Sequence, residues 1–82
     1  MQTKEEIFNE LKHILIEIFE MDESAITPEA KLYEELDLDS IDAVDLVVKL
    51  QQITGKRVKP EEFKSARQVS DVVDVIYNLI RQ

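Results

Sequence analysis

The chain contains no cysteine and no tryptophan, and in 82 residues it has one glycine, two prolines and one histidine. Without cysteine there can be no disulfide framework, no thiolate nucleophile and no cysteine-ligated metal, so any thiol chemistry has to be supplied from outside. A single glycine leaves no material for a glycine-rich phosphate loop. His13 lies off the apolar stripe of its segment and has no second histidine or cysteine to join, so it reads as a solvated side chain. No stretch approaches the roughly 18 apolar residues of a membrane span. The opening Met-Gln-Thr-Lys-Glu-Glu lacks the basic segment and apolar run of a secretory leader, and a cytoplasmic location is expected. Nor does any segment alternate in polarity as a half-buried strand does.

What remains is a charged, aliphatic chain, 44% hydrophobic and 34% charged, with a formal net charge of −8. Residues 1–82 read as one small domain. At this size only about 60% of the unfolded surface is buried, so stability should be modest. The charge is uneven. Residues 29–48 hold seven acids against one base, whereas residues 49–82 hold four acids against seven bases. An acidic middle argues against nucleic acid and anionic membranes, and for partner proteins with basic docking surfaces.

Helical signals divide the chain into four. Thr3-Lys4-Glu5-Glu6 forms a capping box, followed by Ile7, Phe8, Leu11, Ile14, Leu15, Ile18 and Phe19 at helical spacing as a core stripe. From Met21 to Asp39 runs a long connection, unusual in a compact domain unless it packs side chains of its own. Ile26, Leu32, Tyr33, Leu36 and Leu38 are its candidate anchors, with a short helical turn expected near Pro28 to Tyr33. A second helix spans about Ser40 to Thr54, and Gly55 follows as a left-handed cap. Pro60-Glu61-Glu62-Phe63 reads as the first turn of a short third helix, with Val58, Phe63 and Ala66 facing inward. The last helix begins at Val69 or Ser70 and ends near Ile80, with Val69, Val72, Val73, Ile76 and Ile80 on one face. The fold class is all-α, a small four-helix bundle of three main helices and one short third helix, with the long loop between helices 1 and 2.

The second helix has apolar residues on two faces. Ala43, Leu46, Val47, Leu50 and Ile53 make a core face, while Ile41, Val44 and Val48 form a stripe on the other side. Its polar residues are too many for a helix buried all round, so the second stripe is read as exposed and available to a partner. At the head of this helix, Asp39 and Ser40 could each serve as the cap. If Asp39 takes that role, Asp42 falls at the favoured first-turn position and the Ser40 hydroxyl is free to project outward. If Ser40 is the cap, it need do nothing more.

The run Asp39-Ser40-Ile41-Asp42, continued by Ala43-Val44-Asp45-Leu46-Val47, resembles the signature of acyl carrier proteins around their modified serine, and the similarity extends over nearly the whole chain. The resemblance implies that a phosphopantetheinyl transferase moves 4′-phosphopantetheine from coenzyme A onto Ser40. The resulting arm would carry acyl groups as thioesters to acyl-transferring, condensing and tailoring enzymes of fatty-acid, polyketide or related lipid biosynthesis. The chain itself would be a monomer and not an enzyme. Asp39, Asp42 and Asp45, with Ile41, Val44 and Val48, are the expected partner-binding residues. The basic run Lys56-Arg57-Val58-Lys59, with Gln51 and Gln52 where acids are frequent, departs from the family pattern. That departure leaves the attachment chemistry intact and bears on the partner set.

Two other readings use the same residues. Aminoacyl or peptidyl carriers share the architecture but usually have glycine-rich residues before the serine, where this chain has Leu38-Asp39. A helical interaction module would need Ser40 only as a cap or a phosphorylation site. A calcium loop starting at Asp37 fails its template, which asks for an oxygen ligand, a glycine and a glutamate where Ile41, Asp42 and Val48 stand. The acids offer no enclosed pair for acid–base work.

Overall fold

The computed structural model describes residues 3–81, apart from the side chains of Pro60 and Lys64. Four α-helices follow one another, α1 Lys4–Phe19, α2 Ser40–Thr54, α3 Pro60–Lys64 and α4 Val69–Ile80. The order and the short third helix are as expected, and among the described residues there is no strand longer than one isolated bridge.

Three of the four helices, α1, α2 and α4, are begun by a side chain that accepts from main-chain N–H groups, and α3 begins instead with Pro60, which has no N–H to satisfy. In α1, Glu6 N–H donates to Thr3 Oγ1 at 3.2 Å, and Thr3 N–H donates to Glu6 Oε1 at 3.2 Å. At α4 the two N–H groups just ahead of the helix, those of Arg67 and the cap residue Gln68, both donate to Asp71 Oδ2 at 3.0 Å. Those bonds hold the Asp71 carboxyl below its usual pKa, because they favour the ionised form. The ends are closed differently. Gly55 stops α2 in the left-handed region at φ 68° and donates to the Gln51 carbonyl at 2.9 Å. With no second glycine in the chain, Glu20 adopts the same region after α1 at φ 56°, and Asp37 does so in the long loop at φ 55°.

The core is aliphatic. Ile7, Leu11, Ile14 and Leu15 of α1 are buried with Val69, Val72, Val73 and Ile76 of α4, and Leu46, Val47 and Leu50 of α2 close the other side. The expected inward residues Val58, Phe63 and Ala66 are buried as well. At the outer edge of the first interface, Lys4 Nζ lies 3.0 Å from Asp74 Oδ1 and 5.3 Å from the centre of the Tyr77 ring. Ile18 was expected in the stripe and is exposed. Its angle about the helix suits the core, but it sits in the last turn, just before the left-handed Glu20 turns the chain away.

The long loop is held by main-chain bonds as well as by side chains. Ile26, Leu32, Leu36 and Leu38 are buried anchors, joined by Ala30. Leu32 N–H donates to the Arg67 carbonyl at 2.9 Å, Val69 N–H to the Ala30 carbonyl at 3.0 Å and Ser70 N–H to the Pro28 carbonyl at 2.9 Å. These bonds sew the loop to the α3–α4 connection and satisfy groups that burial would otherwise penalise. The short helix of the loop is a 3₁₀ turn at Glu23–Ala25, and near Pro28 to Tyr33 there are single turns only, closed by Ala30 N–H to the Thr27 carbonyl at 3.1 Å and Glu35 N–H to the Lys31 carbonyl at 3.0 Å. Asp22 ahead of it supplies the extended residue from which such a turn starts. Tyr33 is not an inward anchor. It is 44% exposed and faces the head of α2.

Candidate functional site

The head of α2 is fixed by a reciprocal pair. Asp42 N–H donates to Asp39 Oδ1 at 2.9 Å, and Asp39 N–H donates to Asp42 Oδ2 at 3.3 Å. Asp39 is therefore the cap, and Ser40 is the first helical residue. Ser40 is exposed, and its hydroxyl makes no hydrogen bond to any described residue. A helix start this well satisfied holds the serine backbone still while leaving Oγ reachable from solvent.

The structure brings most of the expected partner residues to the surface around it. Asp39, Ile41, Val44, Asp45 and Val48 are all exposed, Ile41 at 71% and Val44 at 61%. Asp42 differs from the others, since it is half-buried and its carboxylate is engaged in the cap. Leu46, Val47 and Leu50 lie on the opposite, buried face as expected. Ile53 does not belong with them, being 42% exposed. It sits in the final turn before Gly55, where the chain leaves for α3.

Between α2 and α3 opens a groove of about 450 Å³ that begins at Ser40. Ala43, Val44, Val47 and Val48 line one wall, with Val58 and Phe63 on the other and Tyr33 also bordering it. Val44 and Val48 thus belong both to the exposed stripe and to the mouth of the groove, which a sorting of α2 into two separate faces does not anticipate. Gln51 and Arg57 also line the groove. Gln51 Oε1 accepts from Val58 N–H at 2.8 Å and ties the α2–α3 loop to α2. Sequence reasoning missed Tyr33, Gln51 and Arg57 as site residues. Gln51 could have been found, because it stands eleven residues after Ser40, on the same side of the helix.

No group of three His, Asp or Glu among the described residues is arranged to hold a metal ion. The site is thus an exposed serine at a capped helix start, next to an open and largely apolar groove. Residues 9–76 match the family described as "Phosphopantetheine attachment site". Acyl carrier protein 2 of Ralstonia nicotianae is 55% identical over 95% of this chain and 96% of its own length. The acyl carrier protein of Coprothermobacter proteolyticus is 41% identical over 89% of each chain. Among solved structures, the acyl carrier protein of Thermotoga maritima superposes with a TM-score of 0.83 at 26% identity, covering 95% of this chain and 91% of that one. The chain belongs to the acyl carrier protein family. It is a carrier of acyl groups and not an enzyme, and its prosthetic group is 4′-phosphopantetheine. No helix is long and apolar enough to cross a membrane among the described residues.

Proposed function

We propose that Ser40 is the attachment residue, and that residues 1–82 act as a single, monomeric carrier domain in the cytoplasm, presenting acyl groups to the enzymes of fatty-acid, polyketide or related lipid biosynthesis. The observation that carries this reading is the free Ser40 hydroxyl at a helix start capped by its neighbour. The residues present suit the group. Attachment needs an oxygen that a transferase can reach, and capping by Asp39 spares Ser40 from any structural duty. When attached, 4′-phosphopantetheine supplies a terminal thiol on which an acyl group is held as a thioester.

Everything else is done by the chain's own residues. Asp39 and Asp42 fix the direction in which the Ser40 Cα–Cβ bond leaves the helix. Asp45, exposed one turn further along, adds negative charge that draws basic surfaces toward the serine. Ile41, Val44 and Val48 offer the apolar contact that a docked enzyme would cover. The groove beside Ser40 gives an aliphatic chain a surface less wet than bulk water, with Ala43 leaving room near the entrance.

Intact mass after incubation with coenzyme A and a phosphopantetheinyl transferase tests the assignment. Wild type should gain one phosphopantetheine and Ser40→Ala none, with the helical circular dichroism unchanged. A mass gain retained in Ser40→Ala would move the attachment elsewhere.

A further inference from the structure

The residues of α2 that line the groove are Ser40, Ala43, Val44, Val47, Val48 and Gln51. They recur at i, i+3, i+4, i+7, i+8 and i+11, one continuous side of a helix. Ser40 and Gln51 are therefore separated by three turns, about 16 Å along the axis. The stretch between them is wholly apolar, and polarity returns only at the Gln51 end. There Arg57 joins Gln51 on the groove wall, from the loop that Gln51 anchors through Val58.

Both polar residues have donors to spare. The Gln51 carbonyl oxygen is used by Val58 N–H, which leaves the amide nitrogen as the free end, and that nitrogen has no partner among the described residues. Arg57 makes no ion pair or side-chain hydrogen bond with any described residue, although Asp and Glu are abundant in the chain. A planar guanidinium and an amide NH₂ that both line the groove offer donors suited to an oxygen acceptor, most strongly to a carboxylate. A purely hydrocarbon chain would make no use of either.

We propose that Gln51 and Arg57 form a distal subsite that selects acyl groups bearing an oxygen acceptor at the end remote from the thioester. This rests on attachment at Ser40, from which the arm enters the groove. The arm and the methylenes together cross the apolar middle, and the two donors read the far end. A cargo with a keto or carboxyl terminus is held in the groove, and one ending in methyl is held less.

Coenzyme A derivatives carrying hexanoyl, 5-oxohexanoyl and adipyl groups can be loaded by a phosphopantetheinyl transferase and the products checked by intact mass. The readout is the side-chain ¹⁵N–¹H signals of Arg57 Nε and Gln51 Nε2, together with the fraction of the acyl chain seated in the groove, followed by contacts to Val47 and Phe63. The seated fraction relative to free chain should rise at least about tenfold from hexanoyl to adipyl, the size of one hydrogen bond to a charged group. The oxo derivative should fall between them. Arg57→Ala should erase the difference between adipyl and hexanoyl. Arg57 is exposed, so the variant should fold. Equal signals for all three cargoes in loaded protein, or an adipyl preference that survives Arg57→Ala, would overturn the subsite while leaving the carrier reading intact. That result would mean that Arg57 only lays its stem along the groove and keeps its head in water. Absence of any mass gain would instead remove the tether and sink both readings.

Discussion

Where α1 meets α4, Leu11, Leu15, Val72 and Ile76 are 0–1% exposed, whereas on α2 the equally aliphatic Ile41, Val44 and Val48 are 71, 61 and 41% exposed. The first region closes its side chains against each other. The second leaves them along an open groove and on the surface beside Ser40. Both regions draw on the same residue types, so hydrophobicity alone does not separate a closed face from an open one. What separates them is whether another element lies opposite. The α1–α4 pair closes on itself, and α2 with the short α3 leaves part of its apolar surface open.

The largest effect should come from emptying the closed side. Ile76→Ala removes a fully buried side chain and should cost about 2–5 kcal/mol, while Val48→Ala at the groove mouth should cost less than about 1 kcal/mol. Urea denaturation of the two variants measures the contrast, and comparable losses would erase the distinction between the regions. Polar substitution sharpens the same point within α2. Leu50→Asp should unfold the domain, and Val44→Asp should fold yet dissociate faster from a docked transferase. If Val44→Asp melts the helix and Leu50→Asp is tolerated, the outward and inward faces have been assigned backwards.

Next in size are the helix starts, which serve stability in α4 and site geometry in α2. Asp71→Asn weakens the bonds from Arg67 and Gln68 and should cost about 1 kcal/mol at neutral pH. Because folding lowers the Asp71 pKa, its contribution is fully present above the unfolded value near 3.8 and is lost as pH falls through the lower folded value. The gap between wild type and Asp71→Asn should therefore close in acid; a constant gap down to pH 2 would count against the mechanism. At the site, Asp42→Lys should both slow transferase association and lose about 1 kcal/mol of capping stability, because its carboxylate holds the Asp39 N–H. Asp45→Lys should slow association alone.

The smallest effect concerns charge around the open region. Glu34, Glu35, Asp37, Asp39, Asp42 and Asp45 crowd onto the loop and head of α2, and screening should relieve their repulsion. Thermal midpoints should climb by a few degrees with added salt or millimolar magnesium. A flat or falling midpoint would show that these acids do not limit stability.

Much of this was legible in the residues themselves. The four helices, the Thr3–Glu6 cap and the exposed Ile41, Val44 and Val48 follow from local rules, since capping chemistry acts within one turn and periodicity reports which side of a helix is apolar. Ser40 stood out as a candidate through the resemblance of Asp39-Ser40-Ile41-Asp42 and the residues after it to the acyl carrier signature, since capping rules alone left either Asp39 or Ser40 as the cap. The misplacements have a common origin. Ile18 and Ile53 have core angles but lie in terminal turns, where burial depends on what stands opposite along the helix axis as well as around it, and Tyr33, in a loop turn, borders the groove because no packed element covers it.

Sequence by itself determined the number and order of the helices, the Thr3–Glu6 cap and the two candidate caps Asp39 and Ser40, because those choices are settled among residues three or four apart. Tertiary structure alone decided that the Met21–Asp39 loop is sewn to Arg67, Val69 and Ser70, that Val44 and Val48 open onto a groove, and that Arg57 and Gln51 both line it. These are meetings between segments distant in the chain, and no periodicity within one segment carries the position of another.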